Sequence, residues 1–224
     1  MLKALVFDFD GLILDTEFPG YQAWKEVFES FDQTLSISEW ATLIGRGAFI
    51  QSRTPCHHLE ECLGYSIDHE AIQRQRRERF TVLIEHKALY AGVVELIADA
   101  KANGILVALA SSSPREWVVG YLERFQLREY FSWIRCGREA GDVKPAPDLY
   151  RAVVAEMGIE VTEAIALEDS PIGIAAAKAA GLFCIAVPNE VTCHTSLDAA
   201  DVQIASLSEL SIAKLRQLNP GFQR

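Results

Sequence analysis

The sequence predicts an α/β fold: a doubly wound (Rossmann-like) parallel sheet core with a small all-helical domain inserted into it. Three observations support this prediction. A short run of buried strand formers stands at residues 5–7. Residues 16–86 then show helical patterns and no convincing strand, and from residue 87 onward strand and helix patterns alternate, as in parallel βαβ units. We therefore expect a core domain of residues 1–15 and 87–224 and a helical insert of residues 16–86.

Within the insert, the helix ends are marked by capping residues. Ser36 followed by Glu39 has the spacing of a capping box, and Asp68 stands where it would cap a long helix. A short helix near residues 59–63 is expected to stop at Gly64.

Beyond the insert, strands and helices are expected in alternation. The predicted strands are 105–110, 133–136, 164–167, 183–187 and 202–205. The predicted helices are 93–102, before the first of these strands, and 116–125, 149–157 and 172–180, which lie between successive strands.

Composition and charge exclude several classes of partner. The chain of 224 residues has a net charge of −10 and a pI of about 5.0, whereas nucleic acids and anionic membranes require a basic surface. We find no apolar run of about 18 residues and no signal-peptide pattern at the N-terminus. The five cysteines are scattered and odd in number, as expected of reduced thiols. We expect a cytoplasmic protein, a monomer or weak homodimer, with no nucleic-acid or membrane partner.

Carboxylates, one serine and one lysine stand at predicted strand ends or in the loops beyond them. They are Asp8, Asp10, Ser111, Lys144, Glu168 and Asp169. In a parallel sheet these strand ends lie on one edge, where ligands bind. Each residue alone has a structural alternative, such as a helix N-cap, an acidic turn or a solvated lysine. Their joint occurrence favours a site.

The residue types in this group suit phosphate chemistry with Mg²⁺. Asp8 and Asp169 can hold the ion, with Glu168 acting directly or through a water. Lys144 and the Ser111 hydroxyl can bind phosphate oxygens. One carboxylate can attack phosphorus while a second transfers protons.

Four motifs in this order resemble the haloacid dehalogenase superfamily of phosphotransferases. The motifs are DFDG at 8–11, Ser111, KPAPD at 144–148 and EDSPIG at 168–173. The resemblance implies that Asp8 is the nucleophile that forms an aspartyl-phosphate and that Asp10 is the general acid and then the base. It also implies that the insert is a cap that closes over the site and selects the substrate.

The same resemblance implies the ligand sets. The catalytic set would be Asp8, Asp10, Ser111 and Lys144. The Mg²⁺ set would be Asp8, Asp10 (through its backbone oxygen), Glu168 and Asp169. The phosphate-binding set would be Ser111, Ser112, Lys144, Thr16 and Arg46.

Within the superfamily, the chain is similar to the branch that holds β-phosphoglucomutase and the small-sugar phosphatases. Mutases of this branch carry a histidine where this chain has Gly20, which favours a phosphatase of a small phosphorylated metabolite, with a phosphosugar mutase as the alternative. A non-catalytic binding or regulatory protein on the same fold is the alternative of another class. Gly45-Arg46-Gly47 resembles the segment that offers an arginine to substrate, and a flexible helix end is the competing interpretation.

Two further clusters have simpler interpretations. Cys56, His57, His58 and Cys62 fit no usual zinc spacing, so we expect free side chains there. The arginines between residues 74 and 79 alternate with acidic residues, which is typical of a solvated helix face.

Overall fold

A computed structural model describes residues 1–44 and 54–222. Its centre is a six-stranded sheet in the order β3-β2-β1-β4-β5-β6, in which every pairing is parallel. The strands are β1 (Ala4–Phe7), β2 (Leu106–Ser111), β3 (Trp133–Cys136), β4 (Ala164–Glu168), β5 (Phe183–Ala186) and β6 (Val202–Gln203). This strand order reverses at β1, as in doubly wound folds. The predicted fold class is confirmed.

Nine α-helices occur in the described part of the chain. Four lie in the insert after β1, namely α1 (Glu17–Glu29), α2 (Ile37–Ile44), α3 (Pro55–Leu63) and α4 (His69–Ile84). Five belong to the α/β region: α5 (Val93–Ala102), α6 (Arg115–Arg124), α7 (Asp148–Met157), α8 (Pro171–Ala179) and α9 (Ile212–Leu218).

The strand β1 is buried on both faces because helices cover both sides of the sheet. Its residues alternate between two apolar cores: Leu5 and Phe7 face one, and Ala4 and Val6 face the other. Phe7 is in register with Leu109 of β2 on one side and Leu167 of β4 on the other. The carboxyl ends of these three central strands therefore lie side by side.

The helices α1 to α4 form their own apolar core, in which Trp24, Phe28, Trp40 and Leu59 are buried. The predicted capping residues are present. Ser36 and Glu39 bond reciprocally, Asp68 accepts from the first turn of α4, and α3 ends at Gly64 in a left-handed conformation. The division into two domains at residues 15 and 87 remains a prediction.

Element ends differ from the predicted ones by a few residues. The helix predicted near residues 59–63 begins earlier, at Pro55, because Thr54 caps it. The last strand is only two residues long. Within residues 1–44 and 54–222, no helix is both long and apolar enough to cross a bilayer.

Gly92, at the start of α5, lies against the backbone of residues 207–208. Gly92 has φ +90°, and a Cβ added there would collide with the backbone of Leu207 and Ser208. Gly104, after the same helix, has φ +68° with open space around the corresponding position among the described residues. We expect Gly104→Ala to destabilise by about 1 kcal/mol through backbone strain alone. Gly92→Ala should cost at least about 2 kcal/mol more, because backbone atoms must also move.

Urea unfolding of both variants measures this difference. Equal losses of unfolding free energy would contradict the close packing of α5 against residues 207–208.

Candidate active site

The strand ends bring most of the predicted residues to the wall of one cavity. Ser111 and Glu168 are the last residues of β2 and β4, and Asp8 follows β1, with its backbone N–H bonded to Leu167 O at 3.0 Å. The cavity has a volume of about 770 Å³, within the range of small-molecule sites. Of the predicted set, its wall contains Asp8, Asp10, Thr16, Ser111, Ser112, Lys144 and Asp169.

A buried lysine joins the first and fourth strands at this edge. The Nζ atom of Lys144 donates to Asp8 Oδ1 at 2.5 Å and to Glu168 Oε1 at 2.6 Å. The Tyr150 hydroxyl donates to the same Glu168 oxygen at 2.5 Å, and its ring lies 4.9 Å from the ammonium. All four side chains are buried. These charge-assisted bonds fix the Asp8 carboxylate in the cavity wall.

Burial and charge oppose each other in this network. Burial alone would lower the pKa of Lys144, but the charges of Asp8 and Glu168 outweigh it and raise the pKa above its usual value. Burial raises the pKa of Glu168 to about 7, and Lys144 partly opposes that rise. Lys144 therefore stays charged at neutral pH.

Three carboxylates are close enough to share a cation. One oxygen from each of Asp8, Glu168 and Asp169 lies within 4.8 Å of the others. Glu168 Oε2 is buried with no hydrogen-bond partner among the described residues, so it has a free lone pair. Burial, followed by the charges of Asp8 and Glu17, raises the pKa of Asp169 well above its usual value. Hard oxygen donors with excess negative charge fit a divalent cation such as Mg²⁺.

The carboxylate of Asp10 is oriented by two donors that the sequence did not reveal. Ser113 Oγ donates to Asp10 Oδ2 at 2.6 Å, and Trp117 Nε1 donates to Asp10 Oδ1 at 3.0 Å. Burial raises the pKa of Asp10, and the Ser113 bond opposes that rise. Both carboxylate oxygens of Asp10 thus accept hydrogen bonds. This agrees with the expectation that Asp10 would contribute its backbone oxygen to a metal site.

The other residues predicted to bind phosphate differ in their hydrogen bonding. Ser111 is buried and accepts from Ser113 N at 3.1 Å, and Ser112 Oγ accepts from Lys144 N at 3.2 Å. The Oγ1 atom of Thr16 is buried and has no hydrogen-bond partner within the described ranges. Arg46 lies outside the residues that the structure describes.

The helical insert forms the other wall of the cavity. The lining residues from α1, α2 and α4 are Glu17, Gly20, Trp40, Arg76, Arg77, Phe80 and Thr81. Gly20, the position of the mutase histidine, thus lies at the cavity. Burial, with the charges of Asp10, Asp8 and Asp15, raises the pKa of Glu17 to about 8.

The prediction of one solvated arginine face on α4 is wrong. Arg76 is half-buried in the cavity wall, and its Nε atom has no hydrogen-bond partner among the residues described. Arg79 instead bonds Glu26 of α1, with Nε 2.5 Å from Oε2. Successive helical residues point about 100° apart, so neighbouring arginines reach different surroundings.

Four residues that bond the site carboxylates were not predicted from the sequence. Tyr150, Ser113 and Trp117 bond its carboxylates, and Asn189 Nδ2 donates to Asp169 Oδ2 at 2.7 Å. Ser113 and Trp117 follow closely on the Ser111 motif, which is the only signal they carried. Tyr150 and Asn189 had no sequence signal, because their roles depend on tertiary contact.

Comparison with known proteins agrees with this geometry. The family model of the haloacid dehalogenase-like hydrolases matches residues 5–187. The chain is 39% identical to "Putative phosphatase YhcW" of Bacillus subtilis (strain 168), over 96% of each chain. It is 30% identical to hexitol phosphatase B of Escherichia coli (strain K12), again over 96% of each.

A solved structure of a related protein has a similar fold. A variant of CbbY from Rhodobacter sphaeroides, in complex with xylulose 1,5-bisphosphate, superposes with a TM-score of 0.70. Its sequence identity is 31%, with 94% of this chain and 96% of that chain covered. The motifs, the fold and the family match agree, and the chain belongs to the haloacid dehalogenase-like hydrolases.

Proposed function

We propose that this hydrolase is a Mg²⁺-dependent phosphatase that acts on a small phosphate monoester, a sugar phosphate, through an aspartyl-phosphate on Asp8. The observation that carries the proposal is the position of the Asp8 carboxylate. It lies in the wall of a cavity of small-molecule size, bonded to Lys144 and beside Glu168 and Asp169, and the same wall contains Asp10.

The metal set fits Mg²⁺ by donor type and charge. Asp8, Asp169 and the free Oε2 of Glu168 supply oxygens, with the backbone oxygen of Asp10 implied by the family resemblance. When bound, the ion would supply positive charge that neutralises phosphate oxygens and reduces repulsion between the ester and the carboxylates.

In the first half of the reaction, one Asp8 oxygen attacks phosphorus and the bond from phosphorus to the ester oxygen breaks. Asp10 gives its proton to the departing oxygen, since an unactivated alkoxide is a poor leaving group. Lys144 and Ser111 bind the oxygens of the transferring phosphoryl group. The raised pKa of Asp10 suits the protonated form that this step needs.

In the second half, Asp10 takes a proton from a water, which attacks the phosphorus of the aspartyl-phosphate. The bond between phosphorus and the Asp8 oxygen breaks, so inorganic phosphate leaves and Asp8 is restored as a carboxylate. Asp10 is again protonated, which closes the cycle.

The cavity and the relatives support this substrate class. The wall from the insert combines aromatic faces, Trp40 and Phe80, with the guanidinium groups of Arg76 and Arg77. Such a wall suits a polyhydroxylated, anionic ligand. Relatives named as a hexitol phosphatase and a bisphosphate-bound CbbY support a phosphorylated sugar or sugar alcohol. In this proposal, residues 16–86 act as a cap that selects the substrate and excludes water during transfer.

Phosphate release from a panel of sugar and sugar-alcohol phosphates tests the function. We expect release from at least one member with Mg²⁺ and near-complete loss with EDTA, because the ester's charge would then be uncompensated. Asp8→Asn should abolish release while retaining the circular dichroism spectrum of the wild type.

Three other results would each count against the proposal. Phosphate release that is unaffected by EDTA would contradict the dependence on Mg²⁺. Full activity of Asp8→Asn would contradict the assignment of Asp8 as the nucleophile. Isomerisation of β-glucose 1-phosphate without release would show a mutase that works with Gly20 in place of the histidine.

The bond from Trp117 to Asp10 gives a prediction about the leaving group. Trp117→Phe keeps the aromatic packing but removes the Nε1 donor, so Asp10 should be less well oriented for proton transfer. We expect kcat/KM for a sugar phosphate to fall by on the order of tenfold. The kcat/KM for p-nitrophenyl phosphate should change little, because it reports the steps up to departure of the leaving group, and this leaving group needs no proton.

Trp133→Phe is the matched control, since Trp133 lies on β3 and does not line the cavity. It should leave the ratio of the two kcat/KM values unchanged. An unchanged ratio in Trp117→Phe would refute the positioning role.

A further inference from the structure

A second group of metal-ligating side chains lies in the helical insert, outside the set that lines the cavity. His57 and Glu60 are one turn apart on α3, and His69 is the first residue of α4. One ligand atom from each lies within 4.8 Å of the others. Glu60 and His69 are half-buried, and His57 is more exposed.

The carboxylate in this group is fixed in place by the loop between the helices. Glu60 Oε1 accepts from the backbone N–H of Ile67 at 3.0 Å and lies 3.0 Å from His69 Nε2. The imidazole rings of His57 and His69 meet edge to face, with centroids 5.0 Å apart. These contacts hold the three potential ligands close together.

The contacts of His57 leave one ring nitrogen for a metal. Its Nδ1 atom lies 2.9 Å from Thr54 Oγ1 and 3.1 Å from Thr54 N. The Thr54 N–H donates to Nδ1 as part of a capping box. For Nε2 to bind a metal, the ring proton must move to Nδ1, where the Thr54 hydroxyl can accept it in place of that bond. A hydrogen bond from the second ring nitrogen to an oxygen is the usual support of a metal-bound histidine.

The donor set differs from that of the active site. Two imidazole nitrogens and one carboxylate oxygen suit zinc and its transition-metal neighbours, with a fourth position left for water, whereas Mg²⁺ prefers oxygens alone. The spacing of Cys56, His57, His58 and Cys62 predicts no metal site, because a spacing pattern covers only residues that are near in sequence. In the structure, the residues grouped with His57 are Glu60 and His69 of the next helix, and the cysteines are not part of the group.

We propose that His57, Glu60 and His69 form a second metal site, for Zn²⁺ or a similar divalent transition metal. The ion joins α3 to the first turn of α4. Because α4 also carries Arg76 and Phe80 of the cavity wall, the site fixes the helix that faces the substrate.

Calorimetric titration of Zn²⁺ into the whole protein, with excess Mg²⁺ present to occupy the acidic cluster, tests the proposal. We expect one Zn²⁺ per chain, and binding at least about tenfold weaker in Glu60→Gln and in His69→Gln. Glu60→Gln keeps an acceptor for the Ile67 N–H, so it should fold normally. At one Zn²⁺ concentration, the Tm of the wild type should also rise by more than that of either variant.

Two controls locate the ion. His86→Gln removes an exposed histidine outside the group, and Asp169→Asn disables the acidic cluster, and both should bind Zn²⁺ like the wild type. Co²⁺ should give the strong visible absorption of a four-coordinate site in the wild type and lose it in Glu60→Gln.

The proposal is overturned by any of three outcomes. The wild type shows no saturable Zn²⁺ binding, Glu60→Gln and His69→Gln bind as tightly as the wild type, or binding is lost only in Asp169→Asn.

Discussion

The ammonium of Lys144, buried between the carboxylates of Asp8 and Glu168, is the interaction on which the site depends. Parallel pairing of β1 with β4 forces these two acids together in a region shielded from water. Their mutual repulsion would be unfavourable without a cation between them. Removing one partner of such a buried pair typically costs about 3–5 kcal/mol, because the other charge is left uncompensated. The same contact therefore stabilises the carboxyl ends of β1 and β4 and holds the Asp8 carboxylate in the cavity wall.

Surrounding contacts extend this arrangement toward the helical insert. Trp117 bonds Asp10 through its Nε1 atom, and its ring packs on Phe80 of α4, with centroids 5.7 Å apart. The indole thus links the expected proton donor of the α/β region to the helix that forms the opposite wall. Movement of α4 would change the surroundings of Asp10 and of the substrate pocket together, which suits a cap that assembles the site as it closes.

The sequence predicted the part of this arrangement that follows from local pattern and strand order. Asp8, Ser111 and Glu168 were predictable because buried strands end abruptly there, and parallel strand ends share one edge. Capping residues such as Ser36 and Asp68 marked helix starts for the same local reason. Tyr150 and Asn189 were not predictable, since they contact Glu168 and Asp169 only through the packing of α7 and the loop after β5. The mixed environments of the α4 arginines and the approach of His69 to His57 likewise depend on how helices pack.

The most direct test of the central claim is to trap the covalent intermediate. The protein would be mixed rapidly with a radiolabelled sugar phosphate that it turns over, quenched in acid and digested, and the label located by mass spectrometry. The account predicts label on the peptide that contains Asp8, released by hydroxylamine and absent from Asp8→Asn. Turnover with no label on Asp8, or label on another residue, would contradict it.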